Sequence, residues 1–201
     1  MGYTYYVMTQ FTAKQFNIGE LVGISAKNIE EHIKLYVGYV KNANLINEHI
    51  EELSKDSEKY AYELGEINRR FSFEFNGMKN HEAYFSLLEG GAKEINTESP
   101  LSKEIVSTFG SFENMLNRLK AIALTRGIGW AMLSKDHESK SLILHWLDEQ
   151  HLGQLQNTKP IIALDMWEHS YVADYQPSGK KQYIEDFFKN LNWSVAEDRF
   201  K

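Results

Sequence analysis

Pro160-Ile161-Ile162-Ala163-Leu164-Asp165-Met166-Trp167-Glu168-His169-Ser170-Tyr171 is an apolar run that stops on a carboxylate and carries an imidazole four residues later. The aliphatic residues after Pro160 read as a buried strand. A strand end is a rigid mount for a side chain that must hold its position. If the chain turns directly into a helix at Asp165, then Asp165 and His169 converge on one point. They would offer a hard oxygen and a borderline nitrogen to a first-row transition metal. An aspartate and a histidine at this spacing also arise as a helix-start residue and a core imidazole, so the rest of the chain has to decide.

With 201 residues the chain can form one large domain or two small ones. It contains no cysteine, which excludes disulfides and thiolate metal sites, so any metal must be held by His, Asp or Glu. Seven histidines are available for that. A net charge of −6 without a dense Lys/Arg cluster argues against nucleic acid as a partner. A small anion stays open as substrate, because a few basic residues around one funnel outweigh the global sign. No apolar run approaches the roughly 20 residues that cross a bilayer. The start, Met1 to Gln10, lacks a basic segment followed by an apolar one. No membrane association and a cytoplasmic setting are therefore expected.

Taken in order, residues 1–24 have no clear period, and Phe11, Phe16, Ile18 and Leu21 suggest an extended arm against the body. Ser25 is placed to cap a first helix whose stripe includes Ile29, His32, Ile33, Tyr36, Val40 and Ile50. A second helical stripe runs from Tyr60 through Phe71, Phe75, Met78 and His81 to Leu88, with a break expected near Asn76-Gly77 and a stop at Gly90-Gly91. Two long helices joined by a short polar link pair antiparallel. Asn96 to Leu101 is the linker, dividing the chain into 1–97, a helical hairpin, and 98–201, an α+β domain. In the second part come short helices around Ser102–Phe109 and after Ser111, then strands at Gly127–Leu133 and Leu142–Leu147 with a connection at 135–141. The strand Ile161–Leu164 completes a three-stranded sheet, a helix around Tyr183 and Phe187 covers it, and a tail at Asn192-Trp193 closes the domain. Fold class is thus α+β. Dinucleotide, nucleophile-elbow and zincin patterns are missing from the sequence.

The block Asp165-Met166-Trp167-Glu168-His169-Ser170-Tyr171 resembles the Asp-x-Trp-Glu-His-Ala-Tyr signature of the iron/manganese superoxide dismutase family. Matches in the same order extend over almost the whole chain: the helix-one histidine, Asn80-His81, Phe109-Gly110-Ser111, Gly127-Ile128-Gly129-Trp130 and Asn192-Trp193. The resemblance implies four protein ligands, His32, His81, Asp165 and His169, holding one iron or manganese ion per subunit between the two halves. It implies superoxide anion as substrate and dioxygen and hydrogen peroxide as products. Glu168 matches the glutamate that reaches a ligand histidine of a partner subunit, implying a homodimer, or a tetramer built from it. Trp130 and Trp167 match aromatic walls of the metal pocket. Gly77 stands where iron-type members often have glutamine. In other members the outer-sphere group comes from the loop Asp148 to Gly153, where Gln150 and His151 both qualify and His151 is favoured.

The chain departs from the family pattern in three places. The gateway tyrosine of the family lies eight residues after the first ligand, whereas Tyr39 lies seven after His32, and Glu31 is the residue at eight. A step of seven returns to within about 20° of the same helix face, while eight is about 80° away, so the shorter spacing suits an uninterrupted helix. Tyr36 occupies the place of a second-shell histidine, which leaves either Tyr36 or Tyr39 as gateway. Val172 replaces the tyrosine that this histidine meets in a partner. Lys180 replaces an arginine near the funnel, keeping charge but losing the planar fork. The rival function is a catalytically silent structural or metal-binding protein that keeps the fold.

Overall fold

A computed structural model describes residues 9–201. Its helices and strands follow the order α1 (Ala26–Leu53), α2 (Ala61–Ser86), α3 (Pro100–Phe109), α4 (Phe112–Ala123), β1 (Gly129–Asp136), β2 (Leu142–Asp148), β3 (Thr158–Asp165), α5 (Lys180–Asn190) and α6 (Trp193–Phe200). This is an α+β fold, with a long helical hairpin followed by helices around a three-stranded antiparallel sheet of order β2-β1-β3.

Ser25 caps α1 through its side chain, which accepts from the Asn28 N–H. The helix then runs 28 residues without interruption. It pairs with α2 along a stripe that buries Ile29, His32, Tyr36 and Val40. Helix α2 is also continuous, so the break expected at Asn76-Gly77 does not occur. Gly77 is there for space: a Cβ on it would lie 2.5 Å from the Tyr39 ring. The arm over residues 9–24 lies along the hairpin as expected, with Asn44 holding the Phe11 backbone at both N–H and C=O and Phe16 packed on Tyr36 and Phe85. The part of the expected arm over residues 1–8 lies outside the described residues.

In the second half, Ser99 and Ser111 cap α3 and α4, and Pro100, read from sequence as part of a linker, is the first residue of α3. Gly129 is required for close approach, since a Cβ there would meet the Leu147 carbonyl oxygen at 2.1 Å. Strand β1 starts two residues later than expected and runs on to Asp136, which shortens the connection to residues 137–141, and β2 gains Asp148 at its far end. The register pairs Trp130 with Asp165 and with Leu147, so those side chains share one face of the sheet. That face turns toward α2. Trp193 opens a sixth helix where only a closing tail was expected, with Asn192 as its N-cap. From α6, Arg199 reaches the Ile161 carbonyl of β3 and both the Ala83 carbonyl and Ser86 hydroxyl of α2, stapling sheet to hairpin. Among the described residues, no helix is long and apolar enough to cross a membrane.

Candidate metal centre

Strand β3 ends on Asp165, which is fully buried. The chain does not enter an α-helix there. Met166 and Trp167 make a short bend into a three-residue 3-10 turn, Glu168–Ser170. The bend fixes the carboxylate, because the Trp167 N–H donates to Asp165 Oδ1 at 2.8 Å while the Ser170 hydroxyl donates to the Asp165 carbonyl. Oδ2 is left free to face inward. Three imidazoles converge on it: Nε2 of His32 at 3.1 Å, of His169 at 3.3 Å and of His81 at 3.5 Å.

All four ligand atoms lie within 4.8 Å of one another, and His32, His81 and Asp165 have no solvent exposure. A first-row ion bound at about 2.0–2.2 Å spaces its donors by roughly 3–4.4 Å, and Asp165 Oδ2 stands at 3.1, 3.3 and 3.5 Å from the three imidazole nitrogens, within that range. The donor set also has the right chemistry. His81 Nδ1 lies 2.6 Å from the Gly77 carbonyl and so carries the proton, leaving Nε2 bare, buried and, among the described residues, without a hydrogen-bond partner. Burial, and then the neighbouring His32, press the His81 pKa down to about 3, and burial lowers that of His32 as well. Both rings are neutral near pH 7, as ligands must be. For Asp165, burial is the largest influence and pushes upward, yet His169 and His32 together outweigh it and hold the carboxyl well below the usual carboxylate range. Three imidazole nitrogens and one anionic oxygen around an enclosed point fit a single di- or trivalent transition ion.

The four side chains predicted from sequence are therefore brought together. His32, and not Glu31, faces the centre, since Glu31 is exposed and pairs with Lys34 on the outside of α1. Around the cage, the Trp130 ring stands 5.1 Å from His81 and the Trp167 ring stacks on His169 at 5.7 Å. Tyr39 lies 5.0 Å from His81, against the cage. Tyr36 does not face it: its hydroxyl accepts from the Lys14 N–H and its ring packs on Phe16 and Phe85, one layer behind His32. Glu168 points to solvent.

The preference for His151 in the loop after β2 is reversed by the geometry. Gln150 is fully buried, accepts from the Trp130 indole N–H at 2.9 Å and donates to the Tyr39 hydroxyl at 3.0 Å. His151 turns edge-on to Phe73, away from that chain of bonds. Lys180 likewise is committed elsewhere, donating to the Thr125 carbonyl beside the Trp146 ring. Two contributors escaped the sequence reading. Asn80 anchors the loop by donating to the Gln150 carbonyl, and Phe73 packs on Tyr39, Trp167 and His151. The signal for Phe73 was its place two steps of four before His81, through Gly77.

A fold of helical hairpin plus small antiparallel sheet, with a three-histidine, one-aspartate cage between them, defines a mononuclear redox metalloprotein. A family model for the iron/manganese superoxide dismutases, C-terminal domain, matches residues 97–199. The chain is 36% identical over 187 residues to "Superoxide dismutase [Fe]" of Aquifex aeolicus, covering 90% of this chain and 86% of that protein. It is 33% identical over 185 residues to "Superoxide dismutase [Fe]" of Cupriavidus metallidurans, covering 90% of each. To "Superoxide dismutase [Mn]" of Thermus thermophilus it is 33% identical over 186 residues, covering 89% of each. The chain belongs to the iron/manganese superoxide dismutase family.

Proposed function

We propose that this chain removes superoxide, converting two superoxide anions and two protons into dioxygen and hydrogen peroxide. The single observation that carries the reading is the convergence of three imidazoles on the one free oxygen of Asp165. His32, His81, Asp165 and His169 hold one iron or manganese ion. When bound, that ion supplies reversible one-electron exchange with the substrate. The four ligands contribute a single negative charge, which favours the trivalent state without locking it. Trp130, Trp167 and Phe73 wall the centre and limit water beside it. Tyr39 and Gln150 form the proton path: the Gln150 amide holds the Tyr39 hydroxyl in place while its oxygen is tied to Trp130. Burial, with Asp165 and Glu74 nearby, raises the Tyr39 pKa, so the phenol keeps its proton and serves as donor.

We further infer two domains, divided near residue 97, and a homodimer in which Glu168 hydrogen-bonds a ligand histidine of the partner. The exposed Glu168 carboxylate next to His169 and the exposed Val172 and Leu35 support that surface. A cytoplasmic setting belongs to the same reading. The rival, a silent relative, is disfavoured because no ligand is lost and Tyr39, Gln150 and Trp130 stand in one bonded chain. Metal analysis of the purified protein together with superoxide removal tests the proposal. Metal bound without turnover would select the rival.

A further inference from the structure

His81 and His32 face the same requirement on two paired helices and meet it differently. A ligand histidine must carry its proton on Nδ1 so that Nε2 offers a lone pair. On α2, His81 Nδ1 finds the carbonyl of Gly77, one turn back. On α1, His32 Nδ1 is equally buried but has no hydrogen-bond partner among the described residues. One turn back from it stands Asn28, which is 1% exposed, and neither its Oδ1 nor its Nδ2 has a hydrogen-bond partner among the described residues. Side chains on a helix lean toward its N-terminus, so the His32 ring covers the turn that Asn28 occupies. Residues four apart are neighbours on one face.

A carboxamide buried with every polar atom unmatched is a costly choice, and an aliphatic residue would fill the same space without that cost. Its place one turn before His32, whose Nδ1 is likewise buried and unmatched among the described residues, accounts for it. We propose that Asn28 is a positioning residue for His32: its Oδ1 receives the Nδ1 proton through one enclosed water that accepts from the ring and donates to the amide. Such a water needs at least two polar partners, and these two groups supply them. The consequence lies at the other end of the ring. His32 Nε2 is 3.1 Å from Asp165 Oδ2. In the Nε2–H tautomer the ring would donate to that oxygen, tying up two ligand atoms in one hydrogen bond. Asn28, by holding the proton on Nδ1, keeps both available to an ion. This rests on the metal-centre reading and adds to it the residue that selects the tautomer on α1.

The test uses Asn28→Ala and Asn28→Ser, which leave similar space but differ in an acceptor oxygen. Nitrogen-15 NMR of the metal-free protein reports the His32 tautomer, and loss of bound iron or manganese to a chelator reports retention. Wild type should show the Nδ1–H form. Asn28→Ala should shift toward Nε2–H and release metal about 10–100-fold faster, the range typical for an outer-shell partner of a ligand histidine. Asn28→Ser should recover much of both. If Asn28→Ala does not fold, Asn28→Leu fills the volume without an acceptor and replaces it. Equal tautomer populations and equal release in the alanine or leucine variant and wild type would overturn the proposal, as would equal effects of alanine and serine. A wild-type protein that takes up neither metal would instead sink the metal-centre reading, whereas the tautomer in the metal-free protein is measured independently of it.

Discussion

Replacing Gln150 by alanine should be among the most damaging single changes outside the four ligands, and replacing the adjacent His151 should not. The Gln150 side chain makes two buried hydrogen bonds, from Trp130 Nε1 at 2.9 Å and to Tyr39 at 3.0 Å, and is itself fully buried. Each such bond contributes about 0.5–1.5 kcal/mol net, and leaving the buried Trp130 N–H unpaired costs about 1–3 kcal/mol more. The sum, with the small cavity, is roughly 3–5 kcal/mol. His151 is half-exposed and meets Phe73 edge-on with ring centroids 5.7 Å apart, a contact worth about 0.5–1.5 kcal/mol. Denaturant unfolding of both metal-free variants against wild type gives the stability difference, and superoxide removal by the metal-loaded proteins gives the functional one. Gln150→Ala should lose most of its activity because Tyr39 is no longer held, while His151→Ala stays near wild type. If His151→Ala proves the more destabilising and the more damaging to turnover, the outer-sphere assignment is wrong.

Gly77→Gln should displace Tyr39, since even its Cβ would lie 2.5 Å from that ring; a variant with wild-type activity and an unmoved Tyr39 would contradict the packing. His32→Ala should empty the metal site and Glu31→Gln should leave stoichiometry unchanged, measured by elemental analysis; the opposite pattern would shift the helix-one assignment by one residue. Glu168→Ala should weaken dimerisation and lower activity together, and sedimentation showing a fully active wild-type monomer at micromolar concentration would end the dimer proposal. The metal-free protein should lose stability in acid. His81 has a folded pKa of about 3 against an ordinary 6.5, so below 6.5 the unfolded chain binds a proton that the folded one refuses, and stability falls by about 1.4 kcal/mol per pH unit toward pH 3. Denaturant midpoints that stay flat between pH 6.5 and 4.5 would contradict a buried neutral His81.

The helices and the ligand candidates were legible because they rest on periodic or punctuated signals. Ser25 and Ser111 cap α1 and α4 as read, and His32 and His81 sit on continuous apolar stripes; the Ser99 cap of α3 lay inside the stretch read as linker. The seven-residue step from His32 to Tyr39 held because α1 is unbroken and both residues return to one face. What was not legible depends on distant partners. Gly77 reads locally as a helix breaker, but α2 runs through it, and the space it leaves belongs to Tyr39 on the other helix. The turn after Asp165 is set by a backbone N–H reaching the carboxylate, which spacing alone does not distinguish from an α-helical start. Gln150 and His151 are adjacent, so only the course of the loop, anchored by Asn80, decides which of them turns inward.

We propose that His32, His81, Asp165 and His169 form one redox-metal site that removes superoxide. It is tested most directly by measuring iron and manganese content and superoxide removal on the same preparations of wild type and Asp165→Ala. Wild type should carry close to one ion per chain and be active, and the variant, whose three histidines have no carboxylate to converge on, should lose both together. Full metal occupancy in Asp165→Ala, or a wild-type protein that neither binds these metals nor removes superoxide, would contradict it.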